Sequence, residues 1–79
     1  MTDLKIPLGN IQSATELGKI VAYQRKAQGL TQSDLAGLAK TGTRFISDLE
    51  NGKGTVQFDK VMHIINLLGL DVVIKDRQL

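Results

Sequence analysis

The chain contains no cysteine and a single histidine, His63. Without thiols there is neither a disulfide nor a thiolate ligand, and one imidazole excludes the usual zinc sites and Cys–His nucleophile pairs. No cofactor or metal is expected. Long hydrophobic runs are also missing, the longest being far below the about 20 residues of a membrane span. The first residues lack the pattern of a secretory signal, so no membrane and a cytoplasmic location are expected. Packing of helices and association of copies are the stabilising means left to 79 residues. A chain of this size buries only about 60–65% of its unfolded surface.

Neither sign of charge dominates: the net charge is +2. Its distribution is uneven. From Lys19 to Lys53 six basic residues (Lys19, Arg25, Lys26, Lys40, Arg44, Lys53) stand against three acids (Asp34, Asp48, Glu50), leaving −1 on the remainder. Basic charge gathered on one segment is the footprint of a nucleic-acid binder, although a solvated helix face with excess lysine looks much the same.

Residues 1–12 form an N-terminal segment in which Leu4–Ile6 reads as a short strand stopped by Pro7 and Gly9. Ser13 and Glu16 have capping-box spacing and open a first helix reaching about Gln28, with Leu17, Ile20, Val21 and Ala27 inward and Gly29 as its stop. Thr31 caps a second helix from Gln32 to about Ala39, with Leu35, Ala36 and Ala39 facing the core. Lys40–Thr41–Gly42 is the turn, of the length and glycine content usual between such helices. A third helix ends at Asn51–Gly52, and a fourth runs from about Phe58 to Leu68. The fourth carries a wide apolar stripe (Phe58, Val61, Met62, Ile64, Ile65, Leu67, Leu68) that calls for partners on two sides. Leu70–Ile74 is short and β-branched, a strand that must pair with the N-terminal segment, with its copy in a partner chain, or with both. The expected division is 1–12 N-terminal segment, 13–69 helical domain, 70–75 strand and 76–79 tail.

The third helix has two faces. Phe45, Ile46 and Leu49 fall on one side, and Arg44, Ser47, Asp48 and Asn51 on the other, with Thr43 at its edge. An apolar anchor behind a short polar face suits insertion into a DNA major groove.

Other residues have plainer readings. Phe45 beside Ile46 reads as core packing, with a thymine-methyl contact as the alternative. His63 reads as a solvated surface residue and Met62 as core. Gly52–Lys53–Gly54–Thr55 lacks the upstream glycine of a phosphate loop, and Gly54 displaces its Ser or Thr, so it is a turn. Glu50 has no partner acid and no nucleophile, so no enzyme is expected.

Leu30–Ala36 together with Arg44–Lys53 (RFISDLENGK) resembles the helix-turn-helix core of the Cro/lambda-repressor (XRE) superfamily. RFISDLENGK followed by a helix and LDVVI further resembles HipB-like antitoxins. The resemblance spans roughly residues 13–75. It implies a mainly α fold: a lambda-repressor-like helix-turn-helix domain of about four helices with a C-terminal dimerisation strand.

Carried onto matching positions, the resemblance implies that Thr43, Arg44, Ser47 and Asp48 face base edges, with Arg44 suited to a guanine. Gln32, Thr41, Asn51 and Lys53 would contact phosphates. Arg25 and Glu50 would form a structural ion pair. Ile65, Leu68, Leu70, Val72, Val73 and Ile74 would form the dimer interface. Two departures stand out. Gly42 and Thr43 are short where longer amide or basic side chains are common, and Asp48 is an acid facing DNA, which repels phosphate unless it accepts from a cytosine amino group or pairs with Arg44 at i, i+4. The implied function is a homodimeric repressor of a palindromic double-stranded operator, the antitoxin of a HipBA-like operon partnered by a HipA-like Ser/Thr kinase toxin. With five residues after Ile74, neutralisation is expected from the folded surface or sequestration on DNA. The alternatives are a phage-like or restriction-modification regulator without a toxin, and an interaction module that has lost DNA reading.

Overall fold

Ser13 opens the first helix of the computed structural model, which describes residues 9–77. Four helices follow in order: α1 Ala14–Ala27, α2 Gln32–Ala39, α3 Thr43–Glu50 and α4 Phe58–Leu67. The Leu4–Ile6 strand expectation lies outside the described residues.

Local chemistry sets the ends. Ser13 Oγ accepts from the Glu16 N–H at 3.1 Å, while the Glu16 carboxylate reaches back to the Gln12 N–H instead of the expected Ser13 N–H. At α2 the box is complete: Thr31 Oγ1 accepts from the Asp34 N–H and Asp34 Oδ2 from the Thr31 N–H, both at 2.9 Å. The hydrogen bond from the Thr31 N–H, followed by that from the Thr31 side chain, holds the Asp34 carboxyl below its ordinary pKa. At the end of α3, the Gly52 and Lys53 N–H groups return to the Leu49 and Asp48 carbonyls, with Gly52 at φ +84°. Between α2 and α3 the left-handed residue is Lys40 (φ 57°), not the glycine of the turn; Gly42 is extended and caps α3 without a side chain.

Helix α3 packs against both α1 and α2, and α4 packs against α2. The core comprises Val21 of α1, Leu35, Ala36 and Ala39 of α2, Ile46 and Leu49 of α3, and Val61, Ile64, Ile65 and Leu68 around α4. The approach of α1 to α3 depends on Gly18, where an added Cβ would lie 2.5 Å from the Leu49 carbonyl oxygen and 2.6 Å from that of Glu50. Spacing alone gave no hint of this contact.

Three expectations are corrected. Ala27 is exposed, although it shares a face with Ile20, because that face runs past the core at the helix end. Phe58 and Leu67, counted in the α4 stripe, are 74% and 42% exposed; Phe58 is the first residue of the helix, ahead of the packed turns. Among the described residues there is no strand. Residues 70–77 have no regular ladder, because a lone extended segment has no partner to satisfy its backbone groups.

Candidate nucleic-acid interface

Ile46 and Leu49 anchor α3 in the core, and Phe45 is half-buried against it. This rotation turns Thr43 and Arg44 out to solvent and leaves Ser47 and Asp48 half-exposed. Arg44 is 88% exposed along its side chain. Lys53, just beyond the Gly52 turn, brings Nζ to 3.5 Å from Asp48 Oδ2, and Arg44 Nε approaches the same oxygen at 3.9 Å. Asn51 Nδ2 donates to Ser47 Oγ at 3.3 Å. Lys53, Asp48, Arg44, Ser47 and Asn51 therefore share one polar face.

Behind that face lies a charged brace. Arg25 Nε donates to Glu50 Oε2 at 2.6 Å, Nη2 to Oε1 at 2.9 Å, and Nη1 to the Leu30 carbonyl at 2.8 Å. The two side chains are 9% and 6% exposed, so the bidentate pair is shielded from water. The hydrogen bonds that Arg25 donates to the Glu50 carboxylate raise the Arg25 pKa against the opposing effect of burial. Burial pushes the Glu50 carboxyl up, but hydrogen bonds from Arg25 and Gln32 and the Arg25 and Lys26 charges together hold it below its ordinary value.

Gln32 Nε2 gives one hydrogen to Glu50 Oε1 at 3.0 Å. The start of α2 is thereby tied to the end of α3, and among the described residues the second amide hydrogen and the side-chain carbonyl of Gln32 make no hydrogen bond. Thr41 is half-buried in the turn. Lys60, absent from the sequence expectations, brings Nζ to 5.7 Å from the Phe45 ring centroid and so adds a cation beside α3. Its signal was there only as a lysine in the first turn of α4.

The residues expected at a dimer interface divide. Ile65 and Leu68 are 3% and 1% exposed and pack in the protomer's own core, with Ile65 also at the wall of an adjoining groove. Leu70 is half-buried, whereas Val72, Val73 and Ile74 are 51%, 71% and 94% exposed. Leu70, Val72 and Val73 line this groove of about 560 Å³ together with Ile11, Leu17 and Ile20. Among the described residues no cluster of three potential metal ligands exists, and no helix is long and apolar enough to cross a membrane.

Residues 21–74 match the helix-turn-helix family model. A relative from Sinorhizobium fredii (strain NBRC 101917 / NGR234), the uncharacterized HTH-type transcriptional regulator y4mF, is 44% identical over 62 residues, covering 78% of this chain and 82% of its own. Among solved structures, MDT Protein, the HipB–O4 20mer complex and the HipA–HipB–O2–O3 complex are similar with a TM-score of 0.80. Each is 27% identical and covers 90% of this chain and 100% of the solved one.

Proposed function

The chain belongs to the helix-turn-helix family of transcriptional regulators, and from that premise we propose that it is a homodimeric repressor of its own operon. The observation that carries this reading is the outward polar face of α3, with Arg44 88% exposed opposite buried Ile46 and Leu49. Inserted into a major groove, Arg44 reads a guanine, Thr43 and Ser47 meet neighbouring base edges, and Gln32, Thr41, Asn51 and Lys53 hold phosphates on either side.

Two copies place two α3 helices on a palindrome, with half-sites about 34–36 Å apart. The exposed Val72–Ile74 segment supplies the contact: paired with its copy, it gains the backbone partners it lacks in one protomer and covers its apolar side chains. The likeness to the HipA–HipB–O2–O3 complex supports a HipA-like kinase toxin as second partner and an antitoxin role for this chain.

Fluorescence anisotropy with DNA directly upstream of the gene, against scrambled DNA at two salt concentrations, tests the repressor reading. Tight binding to the upstream DNA that survives higher salt is expected. Equal and salt-erased binding to both would overturn it. A HipA-like kinase encoded next door, co-purifying with the chain, is expected for the antitoxin role; a neighbouring recombinase or methyltransferase would sink it.

A further inference from the structure

Two acids lie on α3, and they are used differently. Glu50 is committed to Arg25 and Gln32. Asp48 stands on the exposed face, where an acid repels phosphate. Both of its cationic neighbours, Lys53 at 3.5 Å and Arg44 at 3.9 Å, approach Oδ2. Among the described residues no hydrogen bond reaches Oδ1. Arg44 makes its approach through Nε, which leaves its two Nη groups as a fork that fits guanine O6 and N7.

Resting on the groove reading above, we infer that Asp48 is a specificity-determining residue: Oδ1 accepts from the N4 amino group of a cytosine while Lys53 and Arg44 neutralise Oδ2. A carboxylate offers acceptors only. Cytosine presents a lone donor in the major groove, whereas guanine presents two acceptors and adenine an acceptor beside its donor. Against guanine or thymine Asp48 is left facing acceptors in a desolvated groove, and against adenine the N7 acceptor lies beside the donor, so it selects chiefly by rejection. Arg44 and Asp48 are four residues apart, about 6 Å along the axis. That span covers one to two base-pair steps of about 3.4 Å. The cytosine is therefore placed within two base pairs of the guanine read by Arg44.

Binding-site selection from a randomised duplex library tests this with the wild-type protein and the Arg44→Ala, Asp48→Ala and Asp48→Asn variants. Wild type is expected to enrich a cytosine close to the guanine whose preference Arg44→Ala abolishes. Replacing that cytosine should weaken wild-type binding about 5- to 150-fold, the range of one good base contact. Asp48→Ala should lose the preference and bind random DNA more tightly. Asp48→Asn, which keeps the shape of the side chain, should turn the position toward adenine, which an amide reads through N6 and N7. If wild type selects an Arg44-dependent guanine but both Asp48 variants select the same site unchanged, the inference fails and the groove reading stands. If wild type enriches no site, the groove reading itself fails.

Discussion

Arg25 of α1 and Glu50 of α3 meet through two hydrogen bonds of 2.6 and 2.9 Å, with side chains only 9% and 6% exposed. The same Glu50 Oε1 accepts from Gln32 at the start of α2. One carboxylate thus ties three helices together at the C-terminal end of the helix whose other face is polar and exposed. Holding α3 by charge at its end and by Ile46 and Leu49 along its length gives it a single orientation.

Removing one member of this brace leaves the other charge buried without its counter-charge. Glu50→Ala is expected to destabilise the fold by about 3 kcal/mol or more. Urea unfolding followed by circular dichroism measures this, and a midpoint equal to wild type would show that the pair adds nothing.

The pH dependence has a definite sign. Glu50 has a folded pKa below its ordinary value of 4.5, so its contribution is fully present above that value and is lost as pH falls through the folded pKa. Stability should be flat from neutral pH to about 5.5 and decline below about 4.5. Glu50→Gln should show a shallower acid limb in thermal melts taken across this range. An identical limb would assign the acid loss to other carboxylates such as Asp34.

Gly18 sits where α1 meets the last carbonyls of α3. A methyl there falls 2.5–2.6 Å from two backbone oxygens, which no rotamer change relieves. Gly18→Ala should cost about 1–3 kcal/mol despite the better helix propensity of alanine. Gly37→Ala, where a Cβ meets nothing within 4 Å, is the control and should be neutral or stabilising.

Lys40 is a non-glycine residue in the left-handed region. Lys40→Gly removes the Cβ strain at a turn that needs φ 57° and should stabilise the domain by about 0.5–1 kcal/mol. A melting temperature below wild type would show that the lysine side chain, not the backbone, matters there.

Arg44→Ala should cost on the order of 1–3 kcal/mol of operator binding and relax one base position. Lys53→Ala should weaken binding to all sequences alike and lower the salt slope by about one. A loss confined to the operator for Lys53→Ala would contradict a phosphate role.

Much of this molecule follows from local rules. Ser13, Thr31 and Gly52 mark helix ends because capping and left-handed turns are made by the residues themselves and their near neighbours. The two faces of α3 follow from the 3.6-residue period, which places Ile46 and Leu49 opposite Arg44 and Ser47. Periodicity gives direction around an axis, however, and not how far the core reaches along it. Ala27 and Phe58 share core-facing directions yet are exposed at helix ends, while Ile65 and Leu68 were spent on the protomer's own core. Tertiary structure alone decided the Gly18 contact, the Gln32–Glu50 bond and the place of Lys60 over Phe45. Each joins elements distant in the chain, and such meetings depend on how helices settle against one another in space.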